Sequence, residues 1–223
     1  MIKNAVPKIN EILSLDRTIA FEIFKDKEYP WEVLKDIKSF ILALGPKLSK
    51  EEFYNPKEGV WIAKDATVFE SAYIGAPCII DHGAVLRHCA FIRESAIVGK
   101  NATVGNSVEL KNVILFDDVE TPHYNYVGDS VLGWHAHMGA GSITSNVKAD
   151  KKNVVVHGCL DIDTGLRKFG AILGDYAEIG CNAVLNPGTI IGAYSNVYPT
   201  SSVRGVVPPH CIYKEEKIIV EKI

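Results

Sequence analysis

The chain has 223 residues, 47% of them hydrophobic and 23% charged, with a formal charge of −3 at pH 7. That length can bury a core, and the near balance of acids and bases, with no long basic run, leaves no electrostatic footprint for nucleic acid. No apolar run approaches the roughly 20 residues of a membrane span, and MIKNAVPKINEILSLD lacks the apolar stretch and cleavage site of a secretory signal; no membrane partner and a cytoplasmic location are therefore expected.

In chain order, the first segment, 1–58, is read as helical. Pro30 sits at a favourable helix start, Trp31, Leu34, Ile37, Phe40, Ile41 and Leu44 share one apolar face, and Gly45-Pro46 is a stop. Such a face must be buried, and capping the open end of the domain that follows is the expected use.

From residue 59 an aliphatic side chain recurs at every sixth position: Ile62, Val68, Ile74, Ile80, Leu86, Ile92, Val98, Val104 and Leu110. Four residues after each comes a small or apolar one, as in Ala66, Ala72, Cys78, Ala84, Ala90, Ala96 and Ala102. This period fits neither a helix nor simple strand alternation, and it matches the hexapeptide repeat, in which three hexads close one triangular coil. The aliphatic residue points into the prism, and the small one fits the tight corner.

The pattern returns in a new phase as Leu173, Ile179, Leu185, Ile191, Val197 and Val203. Gly174, Gly180 and Gly192 follow three of these and are expected at bends with positive φ. Between the blocks, near 145–170, the repeat lapses, which predicts a loop insertion into a solenoid running from 59 to 213, with 214–223 as a tail. The five cysteines (Cys78, Cys89, Cys159, Cys181, Cys211) form no C-x-x-C pair and read as reduced thiols.

The stretch from Asn106 to Asn153 carries N-S-V-E-L-K, P-H-Y-N-Y-V-G-D, G-A-G-S-I-T-S-N-V and then Lys152. In this order and spacing it resembles the acetyltransferase half of the bifunctional bacterial enzymes that make UDP-N-acetylglucosamine from glucosamine-1-phosphate. The resemblance covers about residues 90–205. It implies a mainly β fold, a left-handed parallel β-helix of the hexapeptide-repeat type, and an acetyl-CoA-dependent N-acetyltransferase acting on an amino-sugar phosphate.

Carried over by residue, the resemblance makes His123 the general base, with Tyr126, Lys152 and the position of His137 at the sugar and Glu109 near its amine. Arg93 and Lys111 would hold the phosphate. Ala140, Asn146 and Cys181 would lie beside the acetyl-CoA arm. Elementary chemistry agrees: an ammonium cannot attack a thioester, and an imidazole with a pKa near ~6.5 can take its proton at cellular pH. Backbone N–H groups at Gly139-Ala140-Gly141, or near Cys181, are candidates to receive the oxyanion. A nucleophilic Cys181 would need an identified base.

The resemblance also implies a homotrimer, because hexapeptide-repeat enzymes build their sites between adjacent prisms. No metal is required by this chemistry. The nucleotidyltransferase signature L-x-A-G-x-G-T-R-M does not occur in these residues, so a separate nucleotidyltransferase is a possible partner.

Three positions depart from the pattern: His137 replaces an asparagine, Val147 a tyrosine and Pro122 a glycine. They leave room for a non-catalytic or regulatory homologue. A second alternative is a zinc enzyme of the γ-carbonic-anhydrase type, for which His82, His88, His123, His135 and His137 are available, although that family's ligand spacing is not reproduced.

Overall fold

The computed structural model describes residues 4–214 and 218–222. Three ladders of parallel strands run its length and form the sides of one prism. The first passes through Val60–Ala63, Cys78–Ile80, the later halves of Phe91–Val98, Glu109–Leu115 and Tyr126–Leu132, then Ala171–Leu173, Thr189–Ile191 and Val206–Val207. The second passes through Thr67–Val68, Val85–Leu86, Thr103–Asn106, Glu120–His123, His137–Met138, Glu178–Ile179, Asn196–Val197 and Cys211–Tyr213. The third joins Tyr73–Ile74, the first halves of the three long strands, Ile143–Thr144, Val184–Leu185 and Ser202–Val203. The protein is a parallel β-solenoid, mainly β, with few helices.

The aliphatic series read from the sequence lines this prism. Ile80, Leu86, Ile92, Val98, Val104 and Leu110 are fully buried. The series then loses its phase because the six-residue step shortens to five between Leu110 and Leu115 and again between Val127 and Leu132. There a single strand turns the corner without a separate bend, and the pairing shifts register between Ile92 and Glu94. Ser95, Asn112 and Asp129 make these turns with φ of 53°, 55° and 46°.

The glycine expectation needs correction. Gly174, Gly180 and Gly192 do not have positive φ; the left-handed residues are Tyr176, Asn182 and Tyr194, two positions on. The glycines are required by close approach instead: a Cβ on Gly174 would stand 2.6 Å from the backbone nitrogen of Ala193 in the next coil.

The N-terminal segment also departs from expectation. The predicted helix is divided at Asp36 into a 3₁₀ turn, Pro30–Lys35, and an α-helix, Ile37–Leu44. The segment lies along the first ladder rather than over an open end. Ile79, Ile97, Ile114, Ile172 and Ile190 alternate with the prism-facing residues of that ladder and are fully buried. Asn112 Nδ2 donates to Leu34 O at 3.0 Å, Asp117 N to Arg17 O at 3.0 Å and Asn4 Nδ2 to Val206 O at 3.0 Å, so the contact spans many coils. The ends are closed by antiparallel strands: Phe53–Lys57 pairs with Val60–Ala63, and Ile219–Glu221 with Cys211–Tyr213.

The insertion lies between Thr144 and Ala171 and holds a hairpin of Val155–His157 with Asp161–Asp163. Its Phe169 packs against Trp31 of the N-terminal segment, ring centroids 5.9 Å apart.

Candidate functional site

His123 ends its strand at the corner between the second and third ladders, and its imidazole is exposed. The register places Asn106 beside it in the preceding coil; Gly141 N donates to His123 O at 3.0 Å and Asn182 N to Ala140 O at 2.8 Å. His123, Ala140 and Cys181 thus occupy equivalent positions in three successive coils, one candidate base and two candidate cofactor contacts on a single edge. The insertion between coils conceals this in the sequence, since Ala140 and Cys181 are neighbours across it.

Asn125, which sequence reasoning passed over, fixes that corner. Its side chain is buried, accepts from His123 N at 3.2 Å, and donates to Gly139 O at 2.9 Å and Ser142 O at 3.1 Å. The signal was available: Asn125 stands between the two motif residues His123 and Tyr126.

Around the corner, the outward column of the third ladder carries Glu109 and Tyr126 as register partners. Arg93 Nη1 lies 3.3 Å from Glu109 Oε1. The Tyr126 hydroxyl accepts from Asn146 Nδ2 at 3.1 Å, and its pKa is raised by burial first and then by the charges of Asp129 and Glu109, so the phenol stays protonated.

Beyond Tyr126 the site is held by Asp129, a second residue the sequence reading missed. Its carboxylate is buried and accepts from Lys111 Nζ at 3.0 Å, Asn112 Nδ2 at 2.9 Å and Asn146 Nδ2 at 2.5 Å. Lys111 therefore does not stand free for a phosphate, and Asn146 is oriented by Asp129 and Tyr126.

His137 lies on the second ladder, half-buried, with Nδ1 2.9 Å from Glu178 Oε2. Lys152 is exposed on the insertion, where its backbone N–H donates to Asp150 Oδ1 at 3.1 Å. Cys181 is an exposed thiol, and among the described residues no base is hydrogen-bonded to it. Of the backbone donors expected to receive an oxyanion, Gly139 N is engaged by Ile179 O at 2.7 Å and Gly141 N by His123 O. The N–H groups of Ala140 and Cys181 carry no such bond among the described residues, which narrows the choice to the two residues on the His123 edge.

The other histidines disperse. His82 meets Asp65 at 3.0 Å, His135 meets Asp118 at 3.7 Å, and His88 packs on Phe69 with centroids 4.3 Å apart. Among the described residues no group of three or more His, Cys, Asp or Glu side chains is placed to hold a metal ion within one chain. No helix among them is long and apolar enough to cross a membrane.

A family model described as the GMPPB C-terminal domain matches residues 74–166. A bifunctional sugar-1-phosphate nucleotidylyltransferase/acetyltransferase of Sulfurisphaera tokodaii is 38% identical over 97 residues, 43% of this chain and 24% of that protein. A bifunctional protein GlmU of Methanococcus maripaludis is 32% identical over 115 residues, 51% of this chain and 28% of its own length. About half of the chain is thus similar in sequence to part of these bifunctional proteins, and the chain spans about a quarter of the length of the curated relatives it matches. Among solved structures, perosamine N-acetyltransferase of Caulobacter crescentus, in complex with CoA and GDP-perosamine, aligns over 72% of this chain and 56% of its own at 18% identity and a TM-score of 0.35. The Arabidopsis UDP-N-acetylglucosamine acyltransferase aligns over 70% and 61% at 12% identity and a TM-score of 0.44.

Proposed function

We propose that the solenoid is a CoA-dependent N-acetyltransferase whose acceptor is the amine of an amino-sugar phosphate. The observation that carries this reading is the single edge on which His123, Ala140 and Cys181 follow one another in successive coils, with Glu109 and Tyr126 on the adjoining face. Acetyl-CoA would lie along the Ala140 and Cys181 side, and the acceptor over Glu109 and Tyr126.

In the reaction, the amine nitrogen bonds to the thioester carbonyl carbon while His123 accepts a proton from that nitrogen. The oxyanion is received by the Ala140 or Cys181 N–H, the C–S bond breaks, and the thiolate takes the proton back from the imidazolium. Arg93 supplies the cation for the phosphate with the donors that Glu109 leaves free, Lys111 serves as internal partner of Asp129, and Lys152 reaches the sugar from the insertion.

Among the described residues no hydrogen bond or ion pair orients the exposed His123 ring, and Tyr124 beside it is 63% exposed. A neighbouring copy packed on this corner would cover both, which supports a homotrimer closed by a heterologous contact. The test is thiol release from acetyl-CoA over a panel of amino-sugar phosphates. Release that requires an acceptor supports the reading; none with any acceptor overturns it.

A second reading, a non-catalytic homologue that regulates or positions a nucleotidyltransferase, is favoured by the pairing of both expected phosphate cations with carboxylates, Arg93 with Glu109 and Lys111 with Asp129. Failure to bind CoA would select it. In either reading the protein works in the cytoplasm.

A further inference from the structure

Tyr126 and Gly128 lie on the same outward side of their strand, and Gly128 is the register partner of Lys111. A Cβ on Gly128 would stand 2.5 Å from the Tyr126 oxygen and 2.7 Å from its Cζ. The Tyr126 ring therefore lies back over Gly128, and its hydroxyl reaches Asn146 beside the left-handed turn at Asp129.

The hydrogen bonds at this point have a fixed direction. Paired with Lys111, the Asp129 carboxylate can only accept, so it holds the amino group of Asn146 and not the carbonyl, at 2.5 Å. The same amino group donates to the Tyr126 oxygen at 3.1 Å. With that place taken by a donor, the phenolic hydrogen must point elsewhere. Among the described residues it is donated to no acceptor, although burial and the charges of Asp129 and Glu109 keep it on the oxygen. Tyr126 thus holds an unspent donor on the face it shares with Glu109 and Arg93.

Asp129 is itself held from the far side. Asn112 Nδ2 lies 2.9 Å from Asp129 Oδ1 and 3.0 Å from Leu34 O, so the chain of bonds that ends at Tyr126 begins in the N-terminal segment.

From this we infer that Asp129 is a positioning residue for acetyl transfer. Through Asn146 it turns the Tyr126 hydroxyl into a donor aimed at an oxygen of the acceptor, which leaves Glu109, the register partner of Tyr126, to meet the amine. The inference rests on the acetyltransferase reading for the identity of what Tyr126 meets.

The test is a double-mutant cycle in acetyl transfer to glucosamine-1-phosphate, or to whichever amino sugar wild type uses best. It compares wild type, Tyr126→Phe, the pair Lys111→Met/Asp129→Asn, and all three substitutions together. The pair is used because it removes both charges and leaves neither buried alone. Tyr126→Phe and the pair should each raise the acceptor KM about tenfold with kcat within about threefold. In the Tyr126→Phe background the pair should change KM less than about twofold, because the hydroxyl it acts through is already gone. Gly128→Ala displaces the ring and leaves the charges in place, and it should raise KM in the same way. Additive effects on KM overturn the inference, as does a loss of kcat that is the same with and without the hydroxyl.

A second measurement does not depend on turnover. In protein carrying isotope-labelled asparagine, the side-chain amide protons of Asn146 should exchange with solvent more slowly in wild type than in the pair variant, and equal exchange overturns the inference. Transfer with additive losses sinks the inference and leaves the acetyltransferase reading standing. Slow exchange that the pair abolishes, without transfer to any amino sugar, sinks that reading and leaves the fixed direction of the hydroxyl standing.

Discussion

The ammonium of Lys111 lies 3.0 Å from one carboxylate oxygen of Asp129 and 3.3 Å from the other, with 14% and 5% of the two side chains exposed. Removing one member leaves the other as an unpaired buried charge, which costs about 3–5 kcal/mol. Urea denaturation of Lys111→Met and Asp129→Asn should each show a loss of that size. Lys111→Met/Asp129→Asn together should lose well under the sum of the single losses; strict additivity would contradict the pairing.

The carboxyl of Asp81 accepts from His82 N at 2.8 Å through one oxygen, and its other oxygen is buried without a partner among the described residues. Burial raises its pKa, against the lowering influence of that bond and of Lys100 and His82. With the folded pKa above the unfolded value of about 3.9, the unfolded state ionises first as pH rises, so stability is lost from there through the folded pKa and stays lost above it. Asp81→Asn should therefore melt higher than wild type at pH 8, and the two should converge as pH falls toward about 4. A wild type more stable than the variant at pH 8 would refute this.

Asp175 ties the N-terminal segment to the prism. Its carboxylate accepts from Ser14 N at 2.8 Å and Trp134 N at 2.9 Å, and its own N–H donates to Ile12 O at 2.9 Å. Asp175→Ala should cost about 1.5–3 kcal/mol and speed amide exchange across residues 9–17 more than in the strand Tyr126–Leu132. Unchanged exchange in that segment would mean its apolar contacts alone hold it.

Cys181 is exposed on the same edge as His123. Direct attack makes its thiol dispensable, so Cys181→Ala should transfer acetyl groups within about tenfold of wild type. A loss of about a thousandfold or more would instead indicate an acyl-enzyme.

The aliphatic series from Ile62 to Leu110 showed the prism in the sequence because prism-facing positions tolerate little but aliphatic side chains. Legibility stopped where the step fell to five residues. There Asn112 and Asp129, polar residues in a left-handed turn, took the corner, and the repeat has no position for them. The apolar face of residues 31–44 was visible, but the surface that buries it was not. Ile79, Ile97 and Ile114 alternate with the prism series and only in three dimensions form a stripe. The motif residues were legible through resemblance. Their partners were less so: His137 meets Glu178 and Ala140 lines up with Cys181 across an insertion that sequence spacing cannot close.

The most direct test of the account compares His123→Ala with wild type in acceptor-dependent thiol release from acetyl-CoA, at saturating acceptor and across pH 5.5–9. If His123 takes the amine proton, the variant loses about 10²–10⁴ in kcat and, with it, the pH dependence of the wild-type rate. A variant within tenfold of wild type and sharing its pH profile would remove His123 from the chemistry and contradict the central claim.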